Sequence, residues 1–200
     1  EYDPSTDSWT TKANLPDSLR KASVSVVNGR LFHIGGQKDT TGSITASVYE
    51  YDPGTDSWTT RANLPEPLSE AVSVSVNGKI LHVGGRDSNG NASSSVYEYD
   101  PGTDSWTTKP DFPVTPKLAV AESIGSRAFL LGGGRGSNDP KDEVYEFIKS
   151  EDLWVRVNIA MPVALRNGAV ATTGEQIFWM GGQDSGNNLR KDVFILEEEE

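Results

Sequence analysis

The sequence predicts an all-β repeat protein built from four-stranded antiparallel units. Three observations carry the expectation. Tryptophans recur at Trp9, Trp58, Trp106 and Trp154, at intervals of 49, 48 and 48 residues. Glycine pairs keep the same step at Gly35-Gly36, Gly84-Gly85, Gly132-Gly133 and Gly181-Gly182. The segment Tyr51–Thr60, YDPGTDSWTT, returns unchanged at Tyr99–Thr108 and with one change at Tyr2–Thr11. A period of this length belongs to solenoids, propellers and related arrays.

Each repeat decodes into four strands. Lys21–Gly29, KASVSVVNG, is small and β-branched and forms strand a. It ends on Asn28-Gly29, matched by Asn77-Gly78. That dipeptide suits a two-residue type I′ hairpin, in which both central residues need positive φ. Arg30–Gly36 is strand b, closed by the glycine pair. Ser47–Pro53, SVYEYDP, alternates Val48 and Glu50 against Tyr49 and Tyr51 and forms strand c. Asp-Pro-Gly-Thr is a turn, because Pro presets φ and Asp can bond its own backbone. Ser57–Asn63 is strand d. No helical period is visible.

The glycine pair after strand b, the aromatic in strand c and the Trp about six residues later resemble the kelch family of β-propellers. The resemblance covers essentially the whole chain. It implies a propeller of four blades, with a domain over residues 1–196 and an acidic tail at 197–200. The repeats run over about 15–63, 64–111, 112–160, and 161–196 plus 1–14. A single blade cannot bury both of its faces, so copies bury one another. The four tryptophans are expected in the core between blades. The N-terminal strand d, near Ser8–Asn14, is expected to pair with strand c near Asp192–Leu196 and close the ring, which would leave no naked edge. Four blades are few for kelch proteins, so a small ring and a part of a larger propeller are both open. The chain starts at Glu1 rather than Met, which points to a processed, excised or incomplete chain.

Composition narrows function. Eighteen Lys+Arg stand against 29 Asp+Glu, a net charge of −11. That argues against nucleic acid or an anionic membrane as partner of the whole surface. No apolar run approaches a membrane helix. There is no Cys, which excludes thiolate zinc sites and cysteine nucleophiles. No catalytic set, metal cluster or cofactor-binding motif is identifiable. His33 and His82 share an aligned position with Leu130 and Trp179, which speaks for packing.

Positions that differ between repeats are free to serve function. The b–c and d–a loops share one face and vary in length and content. Just ahead of strand a, aligned positions carry Arg20, Ser69, Lys117 and Arg166. After the glycine pair come Gln37, Arg86, Arg135 and Gln183. The first set is expected to ring the mouth of the channel, and cations there in an acidic chain suggest an anion. Glu122 is the misfit of an otherwise small or apolar strand a, where a carboxylate needs water or a partner. Candidate binding residues are therefore Arg20, Arg86, Lys117, Glu122, Arg135 and Arg166. The resemblance implies a non-catalytic module that binds a protein, a peptide or a small anionic ligand, as monomer or dimer. Its alternative is an enzyme of the sugar-acid (sialic acid type) mutarotase kind, in which Glu122 beside Lys117 would move a proton.

Overall fold

The computed structural model describes residues 1–39, 41–134 and 139–197. Strands follow the chain as β1 (Tyr2–Asp3), β2 (Ser8–Trp9), β3 (Leu19–Arg20), β4 (Ser23–Val27), β5 (Arg30–Ile34), β6 (Gln37–Lys38), β7 (Val48–Asp52) and β8 (Ser57–Arg61). Next come β9 (Val72–Val76), β10 (Lys79–Val83), β11 (Val96–Asp100) and β12 (Ser105–Lys109). The third repeat holds β13 (Val120–Ile124), β14 (Arg127–Leu131), β15 (Lys141–Ile148) and β16 (Leu153–Leu165). The last holds β17 (Ala169–Thr172), β18 (Gln176–Met180) and β19 (Val193–Glu197).

The chain is an all-β propeller of four blades: β4-β5-β7-β8, β9-β10-β11-β12, β13-β14-β15-β16 and β17-β18-β19. Every neighbouring pair within a blade is antiparallel. Strand a of each blade packs on that of the next, β4 on β9, β9 on β13 and β13 on β17. The Asn-Gly turns form as expected, with φ of 51° and 75° at Asn28-Gly29 and 52° and 76° at Asn77-Gly78.

The glycine pairs join blades. A Cβ on Gly36 would lie 2.9 Å from the Arg20 carbonyl oxygen, and one on Gly85 would lie 2.6 Å from that of Ser69. Lacking it, the chain leading into strand a passes close. The Gly36 and Gly133 amides then donate to the Leu68 and Leu165 carbonyls of the following lead-in segment, at 2.8 and 2.9 Å.

Three apolar clusters fill the spaces between successive blades. Phe32, Ile34 and Val48 of the first blade meet Leu64, Leu68, Ile80, Tyr97 and Tyr99. The c strands of the first three blades each carry a carboxylate paired with cations of neighbouring strands: Glu50 takes Arg61 and Arg30, Glu98 takes Lys79 and Lys109, and Glu146 takes Arg127, while β19 of the fourth blade has Ile195 at this register.

The expected ring closure by Ser8–Asn14 on Asp192–Leu196 does not form. Strand β2 pairs with β1, through Tyr2↔Trp9 and Asp3↔Ser8, and among the described residues β19 pairs only with β18. The fourth blade therefore has three strands. Strands β4 and β17 do not pack on each other as the successive inner strands do, so β19 is out of reach. A local partner a few residues upstream costs far less loop entropy. The expectation of four core tryptophans is corrected in the same way. Trp154 is buried, Trp58 and Trp106 are half-buried, and Trp9, on a hairpin paired only within itself, is 80 % exposed.

Candidate functional site

Each lead-in residue bridges to the residue after a glycine pair: Arg20 to Gln37, Ser69 to Arg86, Lys117 to Gly134 and Arg166 to Gln183. The third repeat thus places Gly134 at this position, one residue before Arg135. Arg135 lies outside the described residues.

The residue after the glycine pair closes its own b–c loop. Arg86 donates from Nε and Nη2 to the Gly90 carbonyl, at 3.1 and 2.8 Å. Gln37 donates to Gly42 at 2.6 Å, and Gln183 to Asn187 at 3.1 Å. A side-chain N–H of suitable reach is what the position requires, which explains why Gln and Arg alternate there. The loops are tied further by Asx turns. Asp87 accepts the Asn89 and Asn91 amides, and Asp184 accepts those of Gly186 and Asn188. These bonds hold both carboxyls below their usual range, the Asn91 and Asn188 amides contributing most.

The candidate cations have different surroundings. Arg20 is exposed, with Asp39 at 3.9 Å. Arg166 is 5 % exposed; its Nη2 donates to Gln183 Oε1 at 3.1 Å and Asn187 Oδ1 at 2.6 Å, while Nε has no partner among the described residues. Lys117 is half-buried. Among the described residues Arg86, Lys117 and Arg166 form no ion pair, whereas Arg30, Arg61, Lys79, Lys109 and Arg127 of the strands all do. Glu122 sits half-buried in β13 and accepts the Ser123 amide at 3.0 Å. No ion pair joins it to Lys117.

Two residues that sequence reasoning missed matter here. Lys21 and Glu70 follow the lead-in positions and take left-handed backbone, with φ of 58° and 57°; Leu118 and Asn167 do likewise. For non-glycine residues this conformation is costly and uncommon. It turns the chain so that the Glu70 amide donates to the Lys21 carbonyl at 2.8 Å, stepping from blade to blade. Lys21 Nζ meets Glu70 Oε1 at 2.6 Å. The four residues at this position share no chemistry, so no pattern in the sequence marked it.

Lys21, Glu70 and Arg86 line a polar groove of about 470 Å³ between the first two b–c loops, with Gln37, Ser43 and Asn89. Lys21 and Glu70 cancel in charge. Among the described residues no carboxylate pairs with the Arg86 guanidinium, so their side chains give the groove one uncompensated positive charge and many hydrogen-bonding groups. Among the described residues no group of three or more His, Asp and Glu could hold a metal ion.

Comparison with known proteins places this geometry in a family. The family model for the KLHDC2/KLHL20/DRC7 kelch-repeats domain matches residues 21–200. No curated protein matches the sequence. Among solved structures, one titled "Structure of YjhT" superposes with a TM-score of 0.76 at 18 % identity, covering 93 % of this chain and 70 % of that one. That likeness shows the shared propeller fold. Registered glycine pairs, strand c aromatics, four antiparallel blades and the family match together establish that the chain belongs to the kelch-repeat family.

Proposed function

We propose that the chain is a non-catalytic kelch-type binding module whose b–c loop face takes an acidic peptide or another anionic ligand. The carrying observation is the groove of about 470 Å³ with Arg86 as its uncompensated charge. Arg86 is positioned by two hydrogen bonds to its own loop, so little entropy is lost when a carboxylate meets the rest of the guanidinium. Lys117 and Arg166, also without carboxylate partners, extend the positive character of the face, with Arg20 and Arg135 as further members. In this reading Arg166 supports the loop from beneath, since it is buried against Gln183 and Asn187. Glu122 lines the inner strand.

The test is titration of a fluorescent Asp/Glu-rich peptide and of its Asn/Gln counterpart. The acidic peptide should bind better, and binding should weaken with salt, since attraction between charges is screened over ~8 Å at physiological ionic strength. Loss of the charged hydrogen bond in Arg86→Gln, which keeps the bond to Gly90, should cost about 1.5–3 kcal/mol, roughly ten- to a hundred-fold in affinity. Equal affinities of wild type and Arg86→Gln for the acidic peptide at low salt would remove the groove from consideration.

A further inference from the structure

The groove between the first two b–c loops holds a carboxylate as well as the Arg86 guanidinium. Glu70 lines it with its side chain only 8 % exposed. Lys21 Nζ meets Oε1 at 2.6 Å, and among the described residues Oε2 has no partner. An ionised carboxylate offers about four acceptor sites. A single donor is few for one so far removed from water. Arg86 is under-used in the same way. Two of its N–H bonds go to the Gly90 carbonyl, out of the roughly five a guanidinium carries. Its other donors have no partner among the described residues. Both Glu70 and Arg86 belong to the second blade, whose inner strand β9 packs on a blade to each side, through β4 and β13.

The backbone sets how near these two charges stand. Ser69, immediately before Glu70, bridges to Arg86 in both directions. The Ser69 amide donates to the Arg86 carbonyl at 3.0 Å, and the Arg86 amide donates to the Ser69 carbonyl at 2.7 Å. Glu70 follows with its left-handed φ of 57° and bonds through its amide to Lys21 of the first blade. Turned this way, the Glu70 side chain pairs with Lys21 and not with Arg86. The groove therefore presents an acceptor and a donor of opposite charge side by side, each with capacity to spare. A ligand carboxylate drawn to Arg86 meets the like charge of Glu70 close by. A cation beside that carboxylate turns the repulsion into attraction.

Given that the groove takes a ligand carboxylate, as proposed above, the geometry points to a dipolar ligand. It is an extended peptide segment with one acidic and one basic side chain on the same side, its carboxylate on Arg86 and its ammonium or guanidinium on Glu70. Side chains of an extended chain alternate, so the two charged residues stand two positions apart, roughly 7 Å along the backbone. That is close to the backbone spacing of Glu70 and Arg86, one step apart across the Ser69–Arg86 bridge. Lys21 keeps its bond to Oε1, because the ligand cation takes the vacant Oε2. An all-acidic segment of the same length satisfies Arg86 but sets its second charge against Glu70.

Fluorescent peptides with serine flanks and capped ends, which carry no terminal charge, test this on the full chain. The set is Glu-Ser-Lys, Lys-Ser-Glu, Glu-Ser-Gln and Gln-Ser-Gln. The better of the two dipolar orders should bind wild type about ten-fold more tightly than Glu-Ser-Gln, the gain of one charged hydrogen bond. Glu70→Gln should close that gap and raise the affinity for Glu-Ser-Gln, as a like charge leaves the groove. Lys21→Met keeps the Glu70 carboxylate and removes its cation, so it should widen the gap; it decides the matter if Glu70→Gln misfolds by circular dichroism. Arg86→Gln should weaken every peptide that carries Glu. Equal binding of the dipolar peptides and Glu-Ser-Gln to wild type, a preference that survives Glu70→Gln, or a gap that Lys21→Met does not widen would overturn the dipolar ligand and leave the anion site standing. Equal binding of Glu-Ser-Gln and Gln-Ser-Gln to wild type would overturn the anion site, and the dipolar ligand with it.

Discussion

Acidification should destabilise this propeller before its carboxylates titrate, and His82 is the cause. His82 is fully buried in β10. Its Nδ1 lies 2.8 Å from Ser73 Oγ and 3.2 Å from Ser23 Oγ, and Nε2 has no partner among the described residues. The edge of Trp106 packs nearby, with ring centroids 6.3 Å apart. An imidazolium there would be cut off from solvent with no carboxylate paired to it among the described residues, so burial pulls its pKa down from 6.5 to about 3. The folded state therefore binds fewer protons than the unfolded chain between those values. The stability this confers is complete above the unfolded pKa and declines as pH falls through the window. At pH 5, about 1.5 units below the unfolded value, the loss is about 2 kcal/mol. For a chain of this size that corresponds to a melting temperature lower by roughly 4–8 °C. Burial moves His33 in the same direction and adds to the loss. Paired carboxylates such as Asp56 and Asp104 titrate below the ordinary carboxylate value and contribute little above pH 5. Thermal melts at pH 7.5 and pH 5 measure the drop. His82→Leu, the residue found at the aligned Leu130, should shrink it to the His33 remainder; the Ser23 and Ser73 hydroxyls keep their mutual bond of 2.6 Å. An equal drop in both proteins would refute the assignment.

The other predictions concern packing. Trp154→Ala should cost ~3–5 kcal/mol in chemical denaturation, as for a buried aromatic, while Trp9→Ala, at an exposed ring, should cost almost nothing. Gly168→Ala should destabilise by roughly 1–3 kcal/mol, because the new Cβ would lie 2.4 Å from the Trp179 ring. A wild-type denaturation midpoint for that variant would mean the ring moves aside freely.

The repeat and its local chemistry were legible because they are written in short-range terms. Asn-Gly demands its turn, the glycine pair demands its conformation, and alternation in SVYEYDP marks a strand with two faces. All of these depend on residues a few positions apart. The candidate site was only partly legible. Arg20, Lys117 and Arg166 align in sequence, yet one is exposed, one half-buried and one buried, because each lead-in segment meets a different neighbouring loop. Arg135 was aligned one position late, since Gly134 already fills the place after the glycine pair. Lys21 and Glu70 line the groove without any shared pattern. By itself the sequence determined the blade: strand count, turn types and which residues face which way. Whether the first and last blades meet was decided only in three dimensions. Closure depends on the rotation accumulated between successive blades, set by side-chain packing at each interface. No residue spacing encodes that sum, and it leaves Trp9 and Ile195 in water at opposite ends of one chain.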